Sequence, residues 1–307
     1  MLTYTVKKEE DGLLLRTLLK EHLGLSHRAL TNLKQKEDGI LLNGLHATVR
    51  AVLHEGDRIQ LHTEDKREDV NEAIMPLPLS VSVLYEDDDL CVVEKPSGMP
   101  THPSFLHRSD TLANALAYRY SDRPFVFRAI TRLDRETDGL VLVALHKAAA
   151  ASLSLSLQNG ALQKEYIALV EGKTDPEGVI TSRICREGDS VIKRRVTENE
   201  NEGDAAVTRY TTLAESGGVS LLRIVTETGR THQIRVHMAS IGHSLLGDTL
   251  YGAKGDFPRV ALHVSRLSFP HPITREPLSF TSPLAPDMQR ELLSRGFSSE
   301  IFASICK

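Results

Sequence analysis

Hydrophobic positions near the start of the chain repeat with helical spacing. Leucines three and four residues apart between Leu13 and Leu23 predict an amphipathic helix that ends at Gly24. A second helix follows, for which the expected N-cap is Ser26 and the apolar positions are Ala29, Leu30 and Leu33. Two short amphipathic helices in succession indicate a small unit with its own core.

Strand patterns complete this unit. Ile40–Leu42 reads as a strand, and Asn43-Gly44 is a strong hairpin signal directly after it. A last strand is predicted at Arg58–Leu61. Residues 1–62 are therefore interpreted as an α+β module.

The next stretch, residues 63–78, is charged and then punctuated by proline. Its two basic and five acidic side chains give it a net charge of −3. This composition predicts a linker, and the alternative is an ordinary exposed loop within one domain.

Residues 79–307 read as strands with few helices between them. The predicted strands are Val81–Tyr85, Leu90–Lys95, Leu140–Leu145, Glu165–Glu171, Ala206–Leu213 and Ser220–Thr226. Helices are predicted at Leu112–Tyr118 and Ala148–Gln158, with a further amphipathic segment at Met288–Leu293. Since crossover helices are scarce, the pattern favours a mainly antiparallel mixed sheet of the α+β class over a doubly wound sheet.

Composition and charge limit the class of protein and its cellular location. The 307 residues are 40% apolar and carry a net charge of −4, and no run of about 18 apolar residues predicts a membrane span. The first residues show no apolar signal-peptide core. Three distant cysteines, without a CxxC motif, favour a reduced, cytoplasmic location. The acidic balance argues mildly against non-specific coating of nucleic acid.

Common cofactor motifs are missing from the chain. No phosphate-binding loop, dinucleotide fingerprint, HExxH or GxSxG sequence occurs. His232, His237 and His243 are spaced five and six residues apart, which does not put all three on one helical face. We therefore expect neither a metal nor a cofactor.

A cluster of charged residues precedes the predicted apolar strand Leu140–Leu145. Asp134 stands between Arg132 and Arg135, with Glu136 beyond, and a nearby guanidinium keeps a carboxylate ionised even when it is partly buried. Charge pattern alone favours a plain ion-pair cluster at a strand entrance. A functional interpretation therefore needs support from other segments.

A second charged turn lies at Glu227–Met238. Gly229 marks the turn, and Thr231 is the expected cap of a short helix with Ile234, Met238 and Ile241 on one face. Arg230 would then point out of the turn. Glycine-bearing turns that present charged groups are typical of an active site on loops over a sheet.

The chain resembles the RluA/RluD family of pseudouridine synthases. The segments RLDRETDGL at 132–140, KEYIALVEG at 164–172 and TGRTHQIRVH at 228–237 match that family's three motifs. EKPSGMPTHPS at 94–104, GDTLYG at 247–252 and ALHVSRLSFPHP at 261–272 follow its pattern in the expected order. The N-terminal unit is similar to the S-four-like RNA-binding module that often precedes this catalytic domain.

This resemblance implies a reaction and its residues. Uridine in RNA is converted to pseudouridine without a cofactor, and Asp134 matches the catalytic carboxylate. Tyr166 matches the family's tyrosine, which would stack on a flipped base and assist proton removal from carbon 5. We assign Arg230 as the partner of Asp134, with Arg235 as the rival whose default is a surface or phosphate role.

RNA is the implied partner, with large-subunit ribosomal RNA expected and transfer RNA possible, and the protein is expected to be a monomer. Between residues 183 and 195, five basic residues and two acidic ones give a net charge of +3. The predicted RNA contacts are Arg28, Lys34, Arg132, Arg135, Lys193, Arg194, Arg195 and Arg235.

The chain departs from the family pattern at three positions. Thr131 stands where His or Asn is common, Asp138 where Ser is common, and Ser244 where Pro is common. Two other functions stay open: a catalytically silent RNA-binding or assembly factor of the same fold, and a sugar hydrolase that uses Asp134 and Glu136.

Overall fold

A small antiparallel sheet forms first along the chain. Its strands are β1 (Leu2–Thr5), β2 (Ile40–Leu42), β3 (Leu45–His46) and β4 (Arg58–Leu61), in the order β1-β4-β2-β3. The computed structural model describes residues 2–25, 27–63, 65–188, 190–254 and 256–305, without the side chains of Arg28, Ala303 and Ser304. The predicted β2 and β4 are present, whereas β1 and β3 were not anticipated.

The helices of this unit differ in detail from the prediction. After a 3-10 turn (Lys8–Glu10), α1 spans only Leu15–Thr17 and continues as a π-helical stretch, Leu18–His22. The helix α2 covers His27–Lys34, and its predicted cap, Ser26, lies outside the described residues. The leucines that define the helical pattern nevertheless form the module's core: Leu15, Leu18, Leu19, Leu23, Leu30 and Leu33 are all buried.

The module packs directly on the remainder of the chain. Ala148 and Ile273 belong to its hydrophobic core although they lie far along the sequence. Lys7 Nζ donates a hydrogen bond of 2.7 Å to the carbonyl of Thr274. These contacts attach the module to one helix and one turn of the larger unit.

The charged stretch after β4 is also held against the larger unit. Asp65 accepts two hydrogen bonds from the Arg128 guanidinium, at 2.7 and 2.5 Å, and its side chain is only 2% exposed. A 3-10 helix (Arg67–Asp69) follows, and Lys147 Nζ bonds Asp69 at 2.8 Å. The domain limits at residues 62 and 78 stay predictions.

A ten-stranded sheet, counted over the described residues, organises the rest of the chain. Its strands are β5 (Ser82–Glu86), β6 (Leu90–Lys95), β7 (Asp138–Ala144), β8 (Gln163–Glu171), β9 (Glu177–Arg186), β10 (Arg194–Thr197), β11 (Asp204–Ser216), β12 (Val219–Thr226), β13 (Leu262–Pro270) and β14 (Pro277–Thr281). The order is β10-β9-β11-β12-β8-β13-β7-β6-β5, with β14 also paired to β13. The described pairings are antiparallel except that of β13 with β7, so the predicted mixed, mainly antiparallel α+β fold is confirmed.

Helices cover both faces of this sheet. They are α3 (Leu112–Arg119), α4 (Lys147–Gln158), α5 (Gln233–Ser240), α6 (Pro286–Ser294) and α7 (Glu300–Ile305), with a 3-10 helix at Thr249–Tyr251. On β8, Tyr166, Ala168 and Val170 join the core that contains residues of α3 and α4, while Ile167 and Leu169 join that of α6 and α7. Alternation along one strand therefore supplies two cores. None of the described helices has the length and apolar character needed to cross a bilayer.

Gly139 allows β7 and β13 to approach each other. It pairs with Val264 in the parallel register and has a φ of +106°. A Cβ at this position would collide with the backbone nitrogen, carbon and oxygen of Val264. This close approach sits directly after the Asp134 turn.

We predict that Gly139→Ala lowers the free energy of unfolding by about 3 kcal/mol or more, because it adds a backbone collision to an unfavourable φ. Gly218→Ala is the matched control, since Gly218 has a φ of +74° but open space around the added Cβ. The control should lose only about 1–2 kcal/mol. Urea unfolding measures both, and equal losses would contradict the role of the strand contact.

Candidate active site

One cleft of about 770 Å³ brings the predicted catalytic residues together. Its walls come from the loop before β7, from β8 and from the segment that joins β12 to α5. The charged and aromatic side chains that line it include Arg132, Asp134, Lys164, Tyr166, Arg230, His232 and Arg235. We call it the Asp134 cleft.

Asp134 sits in a tight turn at the floor of this cleft. Its carbonyl accepts a hydrogen bond from the amide of Thr137, and its side chain is 22% exposed. Its Oδ2 atom lies 3.5 Å from Arg235 Nη1 and 3.8 Å from His232 Nε2. A carboxylate in this position faces positive charge on one side and the open cleft on the other.

Two hydrogen bonds to Asp248 fix the orientation of the Arg235 guanidinium beside Asp134. Its Nε and Nη2 atoms donate to the two oxygens of Asp248, at 2.7 and 2.8 Å, and both side chains are buried. Burial disfavours the charge of Arg235, but the hydrogen bonds and charge of Asp248 and the charge of Asp134 raise its pKa above the ordinary value. The guanidinium is thus a permanent cation held in one orientation.

The predicted pairing of Arg230 with Asp134 is wrong in this structure. Arg230 Nε donates to the carbonyl of Ala205 at 3.1 Å, and its Nη1 lies 3.8 Å from Asp204. Its side chain is 41% exposed at the mouth of the cleft. Arg235, the rival, is the arginine beside Asp134.

The backbone at the start of α5 explains why Arg235, and not Arg230, lies beside Asp134. His232, not Thr231, is the N-cap, and it has a left-handed backbone with a φ of +58° and no capping side-chain bond. Thr231 instead accepts a 3.1 Å hydrogen bond from Arg132 Nη2. The left-handed residue redirects the chain, so that Arg235 in the first helical turn, rather than Arg230, points at Asp134.

Tyr166 lies on the wall of the cleft formed by β8. It is 7% exposed and pairs in register with Ile224 of β12 and Val264 of β13. The ammonium of Lys164 lies 5.6 Å from the centre of its ring. The residue is therefore both a core side chain and a cleft side chain.

Lys95 anchors the turn from behind, a role that the sequence analysis missed. Its Nζ donates to the carbonyls of Pro96, Met99 and Arg135, at 2.9, 2.7 and 3.2 Å, and the residue is 1% exposed. Burial lowers its pKa to about 7, although the charges of Asp138 and Asp134 act in the opposite direction. Its place in the EKPSG motif, next to a proline turn, was the available signal.

The predicted RNA-binding residues lie in different surroundings. Arg132 and Arg235 line the cleft, while Arg135 lies 3.3 Å from Glu136. Lys193 is paired with Glu187 and Arg195 with Glu202, at 3.1 and 2.8 Å. Lys34 is exposed on α2. The backbone amide of Arg194 donates a hydrogen bond to the hydroxyl of Tyr251. The side chain of Arg28 lies outside the described part of the chain.

Two departures from the family pattern have structural roles. The Thr131 hydroxyl accepts a 3.0 Å hydrogen bond from the amide of Leu142. Asp138 accepts from Arg259 Nη1 at 3.0 Å, and Arg259 also binds Asp287 of α6. Both residues thus brace the strand that follows Asp134, and Thr131 also lines the cleft.

A possible metal-binding trio lies elsewhere. The ligand atoms of Asp87, Asp89 and His271 all lie within 4.8 Å of one another. However, His271 Nδ1 accepts backbone hydrogen bonds from Ile273 and Thr274, at 3.2 and 3.0 Å, so Nε2 of the neutral ring carries the proton. This Nε2–H donates to Asp87, which favours a hydrogen-bonded network over a metal site.

Comparisons with known proteins give the same family as the sequence motifs. A family model described as RNA pseudouridylate synthase matches residues 89–240. The chain is 39% identical to the uncharacterized RNA pseudouridine synthase YjbO of Bacillus subtilis (strain 168), over 87% of this chain and 94% of that protein. It is 36% identical to the ribosomal large subunit pseudouridine synthase D of Vibrio cholerae, over 94% and 92%.

A solved structure agrees with this. Human RNA pseudouridylate synthase domain containing 1 aligns with a TM-score of 0.55 and 29% identity, over 66% of this chain and 83% of that one. The chain therefore belongs to the RNA pseudouridine synthase family, as its motifs indicated. Within that family it is of the RluA type, whose members are isomerases that act on RNA.

Stability should depend on pH through Lys95. Its pKa is lower in the folded chain, about 7, than in the unfolded chain, about 10.4. Between these values the unfolded state binds more protons, so this residue makes the free energy of unfolding rise with pH. Lys95→Met should remove that contribution, which urea unfolding at several pH values measures. A difference between the two proteins that is independent of pH would contradict this.

We also predict that Arg235→Lys slows pseudouridine formation far more than Arg230→Lys. A lysine cannot hold Asp248 bidentately and reach Asp134 as well, so the carboxylate shifts and the rate falls roughly tenfold to a hundredfold. Arg230→Lys should stay within about threefold, since its partners are a carbonyl and an exposed carboxylate. Single-turnover rates at saturating RNA, with a melting curve for each variant, test this ordering.

Proposed function

We propose that this protein isomerises specific uridines in large-subunit ribosomal RNA to pseudouridine, with Asp134 as the essential carboxylate. The observation that carries the proposal is the position of Asp134, which is partly exposed to a cleft and held on one side by Arg235. The guanidinium lies beside Oδ2 at 3.5 Å, and the open cleft leaves room for a substrate against the carboxylate.

The reaction requires an ionised carboxylate close to the sugar. The bond between N1 of uracil and C1′ of ribose breaks, the base rotates, and a bond from C5 to C1′ forms. Positive character develops at C1′ while the first bond breaks, and Asp134 would stabilise it. Two routes use the same residue: Asp134 adds to C1′, or it removes the proton from C2′ to give a glycal.

Tyr166 would serve the base rather than the sugar. Its ring lies on the cleft wall and offers a face for stacking against a uracil that has left its helix. Its hydroxyl belongs to the class of groups that remove the C5 proton after the new bond forms. Arg230, at the mouth of the cleft, is reassigned from partner of Asp134 to a contact for the RNA backbone.

A uridine in structured RNA has to leave its stack to reach Asp134. The cleft, at about 770 Å³, is large enough to admit one nucleotide. Arg132 lies two residues before Asp134 in the sequence and is exposed, so we propose that it binds the RNA strand that carries the flipped uridine. The N-terminal module, with Lys34 on its second helix, would supply a separate RNA contact.

The choice of ribosomal RNA rests on relatives. The Vibrio cholerae protein named ribosomal large subunit pseudouridine synthase D is similar along nearly the whole of both chains. Its likeness extends over the N-terminal module as well as the catalytic unit, since the alignment spans 94% of this chain. The cytoplasmic location and the monomeric state stay predictions.

Asp134→Asn tests the proposal. The variant should fold and bind RNA but form no pseudouridine above the level of RNA alone, because an amide neither adds to C1′ nor takes the C2′ proton. Chemical-labelling primer extension on ribosomal and transfer RNA from a deletion strain, complemented with wild type or variant, measures the product and locates its site.

Glu136→Gln is the matched control, because Glu136 is an exposed neighbouring carboxylate paired only with Arg135 among the described residues. It should keep nearly full activity. Normal product from Asp134→Asn would refute the catalytic assignment. A wild type that binds RNA but modifies no uridine would favour the silent RNA-binding factor, and release of free uracil would favour the hydrolase.

A further inference from the structure

His232 links the catalytic carboxylate to a tyrosine outside the family's catalytic set named above. Its Nε2 lies 3.8 Å from Asp134 Oδ2, and its Nδ1 lies 2.9 Å from the hydroxyl of Tyr251. The two rings meet edge to face, with centroids 5.7 Å apart. The left-handed backbone of His232, with a φ of +58°, is what brings the ring into this position.

The hydrogen bonds around Tyr251 favour one tautomer of His232. The backbone amide of Arg194 donates to the Tyr251 oxygen at 2.9 Å. We therefore assign the hydroxyl proton to the bond with His232 Nδ1, so that the neutral imidazole carries its proton on Nε2. That N–H faces Asp134.

The two oxygens of Asp134 are consequently not equivalent. Oδ2 faces both Arg235 Nη1 and His232 Nε2, at 3.5 and 3.8 Å. Within the described ranges of the chain, the side-chain hydrogen bond to Asp134 goes to Oδ2, and none reaches Oδ1. The carboxylate therefore has a held oxygen and an oxygen left for the substrate.

We infer that His232 is a positioning residue that, with Tyr251 behind it, holds Oδ2 of Asp134 and leaves Oδ1 to react with the nucleotide. This inference rests on the proposed function, because it assumes that Asp134 is the catalytic group. Arg235 supplies charge to Oδ2, and the Nε2 edge of the neutral His232 ring, 3.8 Å away, limits where that oxygen can move. Since Arg194 begins β10, the chain from its amide through Tyr251 and His232 also ties the orientation of Asp134 to that strand.

The charges around His232 support a neutral ring. The groups that face it are Asp134, Asp248, Arg235, Arg194 and the Tyr251 hydroxyl. Burial, reinforced by the two arginines, lowers the pKa of His232 below its usual value although Asp134 and Asp248 act in the opposite direction. Protonation at acid pH would add a proton to Nδ1, break the hydrogen bond from Tyr251 and place a second cation beside Asp134.

Two substitutions separate the contacts of the ring. The amide of glutamine reaches about as far as Nε2 of histidine, whereas that of asparagine reaches only as far as Nδ1. His232→Gln should therefore keep the contact to Asp134, and His232→Asn should keep only the side toward Tyr251. Asparagine is also the better tolerated of the two in a left-handed conformation, so backbone strain alone predicts the opposite order of activity.

The experiment measures single-turnover pseudouridine formation and RNA affinity for the full chain and these variants. His232→Asn should slow the reaction roughly tenfold to a hundredfold with unchanged RNA affinity, and His232→Gln should recover most of that loss. Tyr251→Phe, which keeps the ring packed 5.2 Å from the Arg235 guanidinium carbon but lacks the hydroxyl, should lie between them.

The pH profile supplies the second readout. The wild-type rate should fall as pH drops below the ordinary histidine range of about 6.5, and His232→Gln should lack that titration. Equal losses in the asparagine and glutamine variants, or an unchanged acid limb in His232→Gln, would overturn the inference. An active Asp134→Asn would instead overturn the proposed function, so the two failures are distinguishable.

Discussion

The buried ion pair between Arg235 and Asp248 holds the centre of this molecule together. Asp248 uses both oxygens on one side of the guanidinium, which leaves Nη1 for Asp134 at 3.5 Å. A buried cation is costly unless it is paired, and here two carboxylates from different loops share it. The shared cation joins the turn before β7, the helix α5 and the loop after it. The cleft depends on this junction, because the turn before β7 and the start of α5 both line it.

The large sheet also fixes the position of the Asp134 turn. The parallel pairing of β7 with β13 is possible only because residue 139 lacks a side chain, and it places the Asp134 turn at the end of a fully buried strand. Lys95 then attaches the back of that turn to the loop after β6 by three carbonyl contacts. Asp138 and Arg259 attach its far side to α6. Catalytic precision in such a turn comes from supports that never touch substrate.

Much of this architecture was predictable from the sequence, and the failures have physical reasons. Strand β6 matches its prediction residue for residue because it begins with four consecutive apolar residues, whereas β9, exposed or only partly buried at eight of its ten positions, offers no comparable pattern. The arginine beside Asp134 could not be ranked from local sequence. Its selection depends on Asp248, thirteen residues away from Arg235, and on the left-handed backbone of His232, which the local sequence does not specify. Long-range pairing and local strain therefore decided the detail of the site.

The charged residues of the cleft differ in their pairing from many of those elsewhere in the chain. The chain has a net charge of −4, yet Arg132, Lys164, Arg230 and Arg235 line a cleft whose acidic lining residues are Asp134 and Glu227. Elsewhere many basic side chains are already paired, as Lys193 is with Glu187 and Arg195 with Glu202. Paired cations contribute little to the long-range attraction of a polyanion. Under the proposed function, the cations that line the Asp134 cleft would therefore attract RNA more strongly than these paired side chains, and the contacts near the flipped nucleotide would carry recognition.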